Sequence, residues 1–577
     1  MHGERTRDHP KVIVIGMDGA TFNLIVPWAQ EGKLPHMARL LKEGAHGYLE
    51  STIPPVTPPA WSSFMTGKNP GKHGIFHFIG MDPESYDVHY INARSRRSQT
   101  IWKVFNEAQR TVGVLNVPFT FPPESVDGYM MSGMDTPDEQ SDFLRPASLR
   151  EELEERVGKL RLDIRYLGYM TSNERRDAVL QGLREIDEQR TATALYLMER
   201  RPTDLMMIVY TSTDTVGHYF WHYMDPEHPF FDAQGAERYG RAILEVYQRL
   251  DQSIGEFLAR LPEETAVVLV SDHGNGPTSE RVLYLNRYLA QLGLLKFQSD
   301  GTGRGRLNRM VQALVKRLDL FLRGNLSAQQ KVKLAQRFPT LRRKWESYYS
   351  STASVDWAAT KAYGVEILAS PPAIHINLKG VKPQGTVERE EYSDLVEFLI
   401  KRLYELKDPK TGRQLITKVY RREEIYHGPY AERGPDLTLA WWEDGTFNAK
   451  PSAPGEEGCP AVTGVQKTDG LKSEWSGNHL LHGILLLKGN PFRPGLTLEG
   501  ARIIDMAPTL LYLLGVPIPE DMDGRVLKEA FTEDFLAAHL VQFQKGDEAG
   551  DQGSGSTYSE EEAALVEERL KSLGYLQ

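Results

Sequence analysis

Four stretches of the chain are hydrophobic over the length of a strand, and in three of them an aspartate follows the apolar run. They are "KVIVIGMDG" (11–19), "TVGVLNVPFTFPP" (111–123), "TDLMMIVYTSTD" (203–214) and "ETAVVLVSDHGNG" (264–276). Continuous apolar runs are typical of strands that are buried on both faces, as in parallel sheets. Because helix-periodic segments alternate with these runs, the pattern predicts βαβ units around a mainly parallel sheet.

The same pattern resumes beyond about residue 360. Strands are predicted over "AIHINLKG" (373–380), "PDLTLAWW" (435–442) and "GILLLKG" (483–489), and helices near 390–406 and over "DMAPTLLYLLG" (505–515). These elements indicate that the chain returns to the α/β layers after an insertion.

The order of the segments predicts the domain organisation. We expect an α/β core over 10–295 with a helical insertion at about 147–200, a basic helical cap over 296–355, a second part of the core over 356–520, and a C-terminal extension over 521–577. The extension contains a low-complexity stretch at 545–558 and is expected to end in a short helix capped by Ser559.

Residues 300–348 differ in composition from the rest of the chain. They carry many Lys and Arg residues, few acidic ones, and apolar residues at helical spacing, which predicts a helical cap inserted into the α/β body. One interpretation of its basic face is contact with an anionic substrate or, peripherally, with an acidic membrane surface. The other interpretation is a solvated helix face.

Overall composition restricts the class of protein. The 577 residues are 40% hydrophobic and 25% charged, which is typical of a soluble globular protein, and the net charge of -10 argues against nucleic-acid binding. The single cysteine, Cys459, excludes an intrachain disulfide framework and a thiolate metal cluster. The sequence shows neither a signal peptide nor a run of roughly 18 apolar residues that would span a membrane, so a cytoplasmic location is the expectation. The alternative is a mature form that lacks its leader, which would show the same sequence.

Acidic residues stand where three of the early strands end. Asp18 closes the first strand, Asp214 follows the third, and Asp272 with His273 follows the fourth. Ligands of open α/β sheets bind outside the carboxyl ends of the strands, so these side chains are expected to converge on one site. Taken singly, each has an ordinary alternative, since a strand-end Asp is often a helix N-cap and a lone His is often a core or surface residue.

Histidines accompany the carboxylates at spacings that suit metal ligands. Asp214 and His218 are four residues apart and share a helix face if a helix starts there. Further along, "GNHLLHGILLLKG" (477–489) adds His479 and His482 just before a predicted strand. Carboxylates and imidazoles without thiolates favour Zn²⁺, with Mn²⁺ as the alternative, over Ca²⁺. These aspartates and histidines provide enough ligands for two divalent cations, and a pair of cations is suited to phosphoryl transfer.

A proline-rich segment, "IPPVTPPAWSSFMTG" (53–67), places one hydroxyl at the start of a predicted helix. Proline is tolerated in the first helical turn, so Thr57 is expected at the N-cap, with Pro58 and Pro59 beginning the helix and Gly67 ending it. Two interpretations of Thr57 stay open at this point. It is a plain N-cap, or it is a nucleophile that a neighbouring cation activates.

Taken in their order along the chain, the motifs resemble those of the alkaline phosphatase superfamily, in its type I phosphodiesterase/nucleotide pyrophosphatase branch. The similar segments are "VIGMDGATF" (14–22), "PPVTPPAWSSFMTGKNPGKHGIF" (54–76), "TSTDTVGHYFW" (211–221), "VSDHGNG" (270–276) and "GNHLLHGILL" (477–486). The resemblance implies an alkaline-phosphatase-like three-layer α/β sandwich. It also implies a metal-dependent phosphoric ester hydrolase that acts on a small or lipid-like phosphate ester.

Carried over to the matching positions, the resemblance implies a covalent intermediate and two metal sites. Thr57 is implied as the nucleophile that becomes transiently phosphorylated. The implied ligands form two sets: Asp214, His218 and His479 for one cation, and Asp18, Asp272, His273 and a bridging Thr57 for the other. His479 is preferred to His482 because it fits the G-x-H pattern of the family.

One position departs from the family pattern. Nucleotide pyrophosphatases of this branch carry an asparagine a few residues after "HGI" that holds a phosphoryl oxygen, whereas this chain has His77 and Phe78 there. His77 and Asn116 are the candidates to replace it. The resemblance therefore leaves open whether the substrate is a monoester or a diester.

Other classes of the superfamily fit the sequence less well. A sulfatase needs a C-x-P-x-R or S-x-P-x-R segment, which neither "GCPAVTG" nor "SSFMTG" provides. Phosphoethanolamine transferases carry N-terminal membrane helices, which are absent from this sequence. A phosphomutase related to cofactor-independent phosphoglycerate mutase is the alternative enzyme, and a metal-stabilised binding protein without turnover is the alternative from another class.

Overall fold

The computed structural model describes residues 11–82, 84–164, 172–298, 354–366, 372–442, 447–452, 454–464, 475–546 and 558–572. Most of the predicted basic cap and most of the predicted low-complexity stretch lie outside these residues. The two ends of the cap segment leave the body side by side, because Phe297 and Val355 form an antiparallel bridge.

The secondary structure alternates strands and helices along the chain. In chain order the strands are β1 Val12–Met17, β2 Ala45–Glu50, β3 Ile79–Met81, β4 Val88–Tyr90, β5 Val112–Val117, β6 Gly128–Ser132, β7 Leu144–Arg145, β8 Leu205–Tyr210, β9 Ala266–Val270, β10 Gly274–Pro277, β11 Arg281–Leu283, β12 Ala362–Gly364, β13 Ala373–Ile376, β14 Val419–Arg421, β15 Leu437–Leu439, β16 Asn448–Ala449, β17 Val462–Gly464, β18 Gly477–Leu480, β19 His482–Lys488, β20 Thr497–Arg502, β21 Ile518–Pro519 and β22 Phe543–Gln544. The α-helices are α1 Phe22–Gln30, α2 Pro35–Glu43, α3 Thr57–Thr66, α4 Pro70–His73, α5 Ile101–Glu107, α6 Leu149–Val157, α7 Asn173–Arg200, α8 Ser212–Met224, α9 Ala233–Tyr239, α10 Ala242–Arg260, α11 Leu285–Gln291, α12 Tyr392–Tyr404, α13 Arg422–Ile425, α14 Met506–Leu513, α15 Glu533–Ala538 and α16 Glu560–Ser572.

Nine of the described strands form one central sheet, in the order β20-β2-β19-β9-β1-β8-β5-β6-β7. Strands β19 and β7 are antiparallel to their neighbours. All other neighbouring pairs in the sheet are parallel. The four early apolar runs form β5 and the adjacent strands β9, β1 and β8, so the predicted mainly parallel sheet is confirmed.

Both faces of the central sheet are covered by helices. Alternate residues of β1 face opposite sides, so that Ile13 and Ile15 pack in one hydrophobic core and Val12 and Val14 in the other. Helices α7, α8 and α10 line the first core, and α3, α5 and α14 line the second. The result is the three-layer α/β arrangement that the sequence predicts.

Two of the strands predicted in the second half belong to a separate sheet. β13 and β15, within "AIHINLKG" and "PDLTLAWW", lie in the antiparallel sheet β12-β13-β15-β14. "GILLLKG" instead forms β19 in the central sheet. The two helices predicted in this half correspond to α12 and α14. No helix within the described ranges is long and apolar enough to cross a membrane.

The C-terminal helix α16 packs near the loop that follows β5. Ser559 caps it as predicted, accepting a hydrogen bond from the Glu562 N–H at 3.2 Å. Directly before the helix, the Tyr558 hydroxyl donates to Asp135 O at 2.8 Å, and its ring stacks on Phe121. The end of the described chain thereby supports the loops that follow β5 and β6.

Candidate active site

Helix α3 begins at Thr57, because Pro58 and Pro59 occupy its first turn and their fixed φ suits a helix start. The N-cap is Val56, in extended backbone and without a side-chain cap bond, so the expectation that Thr57 caps the helix is wrong. The Thr57 hydroxyl faces another group instead, and its Oγ1 lies 3.3 Å from His273 Nε2. Gly67 ends the helix in the left-handed conformation, with φ 65°, as predicted.

The carboxylates at the strand ends meet at one edge of the central sheet. Asp18 follows β1, and Asp272 follows β9, which pairs with β1. Asp214 lies in the first turn of α8, directly after β8, which flanks β1 on its other side. All three side chains are buried. The convergence that the strand ends predict is therefore present in the structure.

Asp214, His218 and His479 form a first cluster. Asp214 and His218 project from one face of α8, with Oδ1 and Nε2 3.1 Å apart, as their spacing predicts. Strand β18 places His479 Nε2 3.0 Å from His218 Nε2 and 3.4 Å from Asp214 Oδ1. His482 does not join this cluster. Its exposed side chain begins β19 and packs edge-on against Tyr48.

Asp18, Asp272 and His273 form a second cluster, beside Thr57. His273 Nε2 lies 3.6 Å from Asp18 Oδ1 and 3.4 Å from Asp272 Oδ2. Both carboxylate oxygens are buried, and neither has a hydrogen-bond partner among the described residues. Ligand atoms of Asp18, Asp214 and His273 also lie within 4.8 Å of one another, so Asp214 stands between the two clusters.

Hydrogen bonds to backbone carbonyls fix the tautomer of the three histidines. Each ring donates its Nδ1–H to a carbonyl oxygen: His218 to Gly477 at 3.1 Å, His273 to Gly274 at 3.0 Å, and His479 to Pro55 at 2.8 Å. A neutral imidazole with hydrogen on Nδ1 presents the lone pair of Nε2. All three rings therefore offer an acceptor nitrogen to the clusters, in the manner of metal-binding histidines.

Burial shifts the pKa values of Asp18, Asp272, His218 and His273 in the direction that removes charge. Burial, together with the charge of Asp214, raises the pKa of Asp18 to about 7. Burial and the neighbouring Asp18 and Asp214 raise the pKa of Asp272 well above its usual range. Burial likewise lowers the pKa of His218 and His273, which keeps both rings neutral.

The donor atoms fit divalent cations. In the first cluster the three donor atoms lie 3.0, 3.1 and 3.4 Å apart, and the edges of a tetrahedron around Zn²⁺ are about 3.3 Å for Zn–N distances near 2.0 Å. In the second cluster two unpaired carboxylate oxygens face a nitrogen lone pair. Buried acceptors that face one another in this way require a cation or a proton between them. The two clusters could thus each hold one cation.

Two neighbours that sequence analysis did not single out position the carboxylates. Trp61 Nε1–H donates to Asp18 Oδ2 at 3.0 Å, and its place one helical turn after Thr57 is a signal that could have identified it. Gly19 has φ +68°, and a Cβ there would come within 2.8 Å of Asp214 Oδ1, so that only glycine fits without displacing the carboxylate.

Two further tryptophans pack against the first cluster. The Trp475 ring stacks on His218 with a centroid distance of 3.6 Å, and the Trp441 ring lies 6.1 Å from His479. Trp475 lies just before the "GNH" motif, but no spacing rule links Trp441 to the cluster. These indoles restrict the room around the histidines and shield them from water.

One protein family matches most of the chain. The family model described as "Type I phosphodiesterase / nucleotide pyrophosphatase" matches residues 12–464. A comparison with curated proteins found no match.

Solved structures of low sequence identity share the architecture. Phosphonoacetate hydrolase from Sinorhizobium meliloti 1021, in complex with phosphonoformate, aligns at 15% identity over 88% of this chain and 96% of its own, with a TM-score of 0.51. An inactive variant of murine ectonucleotide pyrophosphatase / phosphodiesterase 5, in complex with AMP, aligns at 15% identity over 91% of this chain and 100% of its own, with a TM-score of 0.47. The first of these shows the fold, and the predicted alkaline-phosphatase-like α/β class is confirmed.

Proposed function

The chain belongs to the type I phosphodiesterase / nucleotide pyrophosphatase family, whose members are metal-dependent phosphoric ester hydrolases, and we propose that it cleaves phosphate esters with two divalent cations and Thr57 as the nucleophile. The observation that carries the proposal is the meeting of Thr57 with two clusters of lone-pair donors at one edge of the sheet. The proposed substrates are phosphate monoesters or diesters of small or lipid-like molecules.

Three features of Thr57 support its proposed role as the nucleophile. It is fully buried, it occupies the first residue of a helix, and its Oγ1 faces the second cluster. The positive end of the α3 dipole favours the charge that develops on an alkoxide and on a phosphoryl group. Holding the nucleophile on a rigid element also removes much of the entropy that a free alcohol would lose on reaching the ester.

The proposed cation ligands fall into the two clusters already described. Asp214, His218 and His479 would hold one cation, and Asp18, Asp272 and His273, with Thr57 beside them, would hold the other. Two divalent cations, Zn²⁺ or in its place Mn²⁺, supply Lewis-acid stabilisation of charge on the attacking and leaving oxygens when bound. Backbone carbonyls orient the three imidazoles and Trp61 orients Asp18, so that the protein keeps the donor atoms in place.

The proposed reaction consists of two in-line displacements at phosphorus. In the first, Thr57 Oγ1 gives up its proton and bonds to phosphorus while the bond from phosphorus to the leaving alcohol oxygen breaks, and that oxygen takes up a proton. In the second, water displaces the threonine oxygen, which regains its proton, and the phosphoryl product is released. Each displacement inverts the configuration at phosphorus, so the overall outcome is retention.

The experiment is an assay of the full chain on p-nitrophenyl phosphate and bis-p-nitrophenyl phosphate, after chelation and after reloading with Zn²⁺ or Mn²⁺. We expect release of p-nitrophenol from at least one ester and a loss of about 10³-fold or more in Thr57→Ala. Cleavage no faster than that of Thr57→Ala would reject the hydrolase and leave the metal-stabilised binding protein. Inversion with a chiral phosphate substrate would reject the covalent intermediate. The phosphomutase is tested with a phosphate monoester of a diol, because the p-nitrophenyl esters offer no second hydroxyl. Migration of the phosphoryl group to the other hydroxyl of the diol would indicate it.

A further inference from the structure

Asn116 lies near the carboxyl end of β5, at the edge of the sheet where the two clusters are found. β5 runs parallel to β8, and β8 runs parallel to β1, so all three strands end at the same edge. Leu115 of β5 pairs with Ile208 of β8, and the next residue of β8, Val209, pairs with Gly16 of β1. Asn116 therefore lies at about the same position along the strand direction as Val209 and Gly16. The ring of Trp61, on the nucleophile helix, lies directly over Gly16.

The backbone at Asn116 leaves the regular strand. Leu115 and Val117 pair with the consecutive residues Met131 and Ser132 of β6, so Asn116 is the extra residue of a β-bulge. Its φ is 57°, in the left-handed region, which non-glycine residues seldom occupy. Bulges of this kind redirect a side chain out of the strand alternation and are frequent beside functional sites.

A buried carboxylate holds the loop after this bulge in one conformation. Asp135 accepts hydrogen bonds from the N–H groups of Phe119 and Phe121, at 2.8 and 2.7 Å, and a longer one from Thr120. The Phe119 ring packs edge-on against Phe78, in the segment that follows the nucleophile helix, at a centroid distance of 5.6 Å. The loop that follows Asn116 is therefore held, through Phe119, against the segment that follows the nucleophile helix.

The amide of Asn116 is buried without a partner. The residue is 1% exposed, and neither Nδ2 nor Oδ1 makes a hydrogen bond to any described residue. Buried amides in folded proteins are almost always hydrogen-bonded, so an amide left without a bond in a strained backbone conformation calls for an explanation by a ligand.

The nucleophile helix supplies unusually few donors for such a ligand. A helix ordinarily has four N–H groups without intrahelical partners at its N-terminus, and these bind anions. In α3, Pro58 and Pro59 have no N–H, and the Ala60 N–H is bonded to Val56 O at 3.1 Å. Of the N–H groups with which a helix N-terminus usually binds an anion, α3 retains that of Thr57. A phosphoryl group at Thr57 therefore needs a donor from elsewhere in the fold.

We propose that Asn116 is a substrate-contacting residue, whose Nδ2 donates a hydrogen bond to a non-bridging oxygen of the phosphoryl group at Thr57. An amide provides this donor without adding charge to a site whose negative charge two cations already balance. The inference rests on the proposed phosphoryl transfer at Thr57, and it assigns the phosphoryl contact to β5 in place of the segment after "HGI".

The test compares Asn116→Gly with Gln109→Gly in the metal-loaded full chain. Gln109 is exposed and has the same φ of 57°, so both changes relieve the left-handed backbone, but only the first removes the buried amide. We expect Asn116→Gly to lose about 10²-fold in kcat/KM on the p-nitrophenyl esters and to bind inorganic phosphate about 10-fold more weakly. Its metal content should be unchanged, and its melting temperature equal to or above that of the wild type. Gln109→Gly should keep wild-type kinetics.

The outcomes separate this inference from the proposed function. If the wild type cleaves the esters and Asn116→Gly cleaves them and binds phosphate equally well, the assignment of Asn116 is wrong and the proposed function stands. If the wild type cleaves neither ester, the proposed function fails. The contact of Asn116 with phosphate is then tested by comparing how far inorganic phosphate raises the melting temperature of the wild type and of Asn116→Gly. A lower melting temperature of Asn116→Gly combined with wild-type phosphate affinity of the folded variant would show a structural amide and overturn the inference.

A second variant keeps the test decisive if Asn116→Gly does not fold. Asn116→Asp preserves the shape of the side chain and tolerates the left-handed conformation, but it replaces the donor by an acceptor. We expect it to lose at least as much phosphate affinity as Asn116→Gly, because a carboxylate repels the phosphoryl oxygens. Phosphate binding equal to that of the wild type in Asn116→Asp would overturn the proposal.

Discussion

His218 and His479 point their Nε2 atoms at one another across 3.0 Å, although both rings have already given their Nδ1–H to backbone carbonyls. Two facing lone pairs repel unless a positive charge lies between them or beside them. Asp214 Oδ1, 3.1 Å from His218 Nε2, adds a third acceptor to the same point. The arrangement is pre-organised for a cation and strained without one.

Removal of the cation is therefore expected to weaken the fold as well as the activity. Chelation should abolish ester cleavage and lower the melting temperature, and Zn²⁺ or Mn²⁺ should restore both. The matched pair of variants is His479→Ala and His482→Ala, from the same motif. We expect His479→Ala to lose metal, measured by elemental analysis, and His482→Ala to retain it. Equal metal content in the two variants would contradict the assignment of His479.

Metal binding is expected to release protons near neutral pH. In the metal-free protein, burial and the charge of Asp214 raise the pKa of Asp18 to about 7, so about half of the molecules are protonated there at pH 7. A cation displaces this proton, and the apparent metal affinity should rise with pH up to about 7. Calorimetric titration with Zn²⁺ in buffers of different ionisation enthalpy measures the release. A proton count that is the same at pH 6 and pH 8 would contradict it.

The same shift predicts the pH dependence of stability of the metal-free protein. The pKa of Asp18 is about 7 in the folded chain and 3.8 in the unfolded chain, so the folded state binds more protons between these values. Its contribution to stability is therefore lost as the pH rises from about 4 to about 7. Denaturant unfolding with and without Asp18→Asn measures the difference, and the variant should show the flatter profile.

Thr57→Ser and Thr57→Ala should separate nucleophilic attack from binding. The serine variant keeps a hydroxyl at the first residue of α3 and should retain part of the turnover, whereas the alanine variant should lose about 10³-fold or more. Both should bind metal to the wild-type level, because neither changes the carboxylates or imidazoles. Full turnover in Thr57→Ala, with metal bound, would show that another group attacks phosphorus.

Gly19→Ala and Gly32→Ala form a matched pair that tests the position of Asp214. Both glycines have positive φ, +68° and +74°, so each substitution costs on the order of 1 kcal/mol of backbone strain. A Cβ at Gly19 would meet Asp214 Oδ1 at 2.8 Å, whereas one at Gly32 has open space. Only Gly19→Ala should lose metal and activity. A similar loss in Gly32→Ala would show that backbone strain alone accounts for the effect.

The strands that carry the site are predictable from the sequence for a physical reason. β1, β5, β8 and β9 are buried at every position, so each is apolar apart from Asn116 in β5. The polar residues that follow β1, β8 and β9 mark the sheet edge. The direction of a strand in the sheet cannot be read from its apolar residues in the same way. β19 is an equally continuous apolar run but lies antiparallel, because burial on both faces restricts composition and not orientation.

Within the site, sequence spacing reveals contacts along one element and misses contacts between elements. The Asp214–His218 pair follows from the helical repeat. The bond from Trp61 to Asp18 depends on how α3 lies across β1, and the stacking of Trp475 on His218 depends on where β18 enters. The start of α3 was misplaced by one residue because two prolines are compatible with either Val56 or Thr57 as the cap.

The place of β19 between β2 and β9 has a consequence for the growing polypeptide. β2 is made early, at Ala45–Glu50, but its hydrogen-bonding partners β19 and β20 lie beyond residue 480. Until His482–Lys488 leaves the ribosome, the edges of β2 and β9 stay unpaired and open to other chains. His479 lies just before the same segment, so the first cluster becomes complete only when this part of the chain has been made, whereas the residues of the second cluster all precede it.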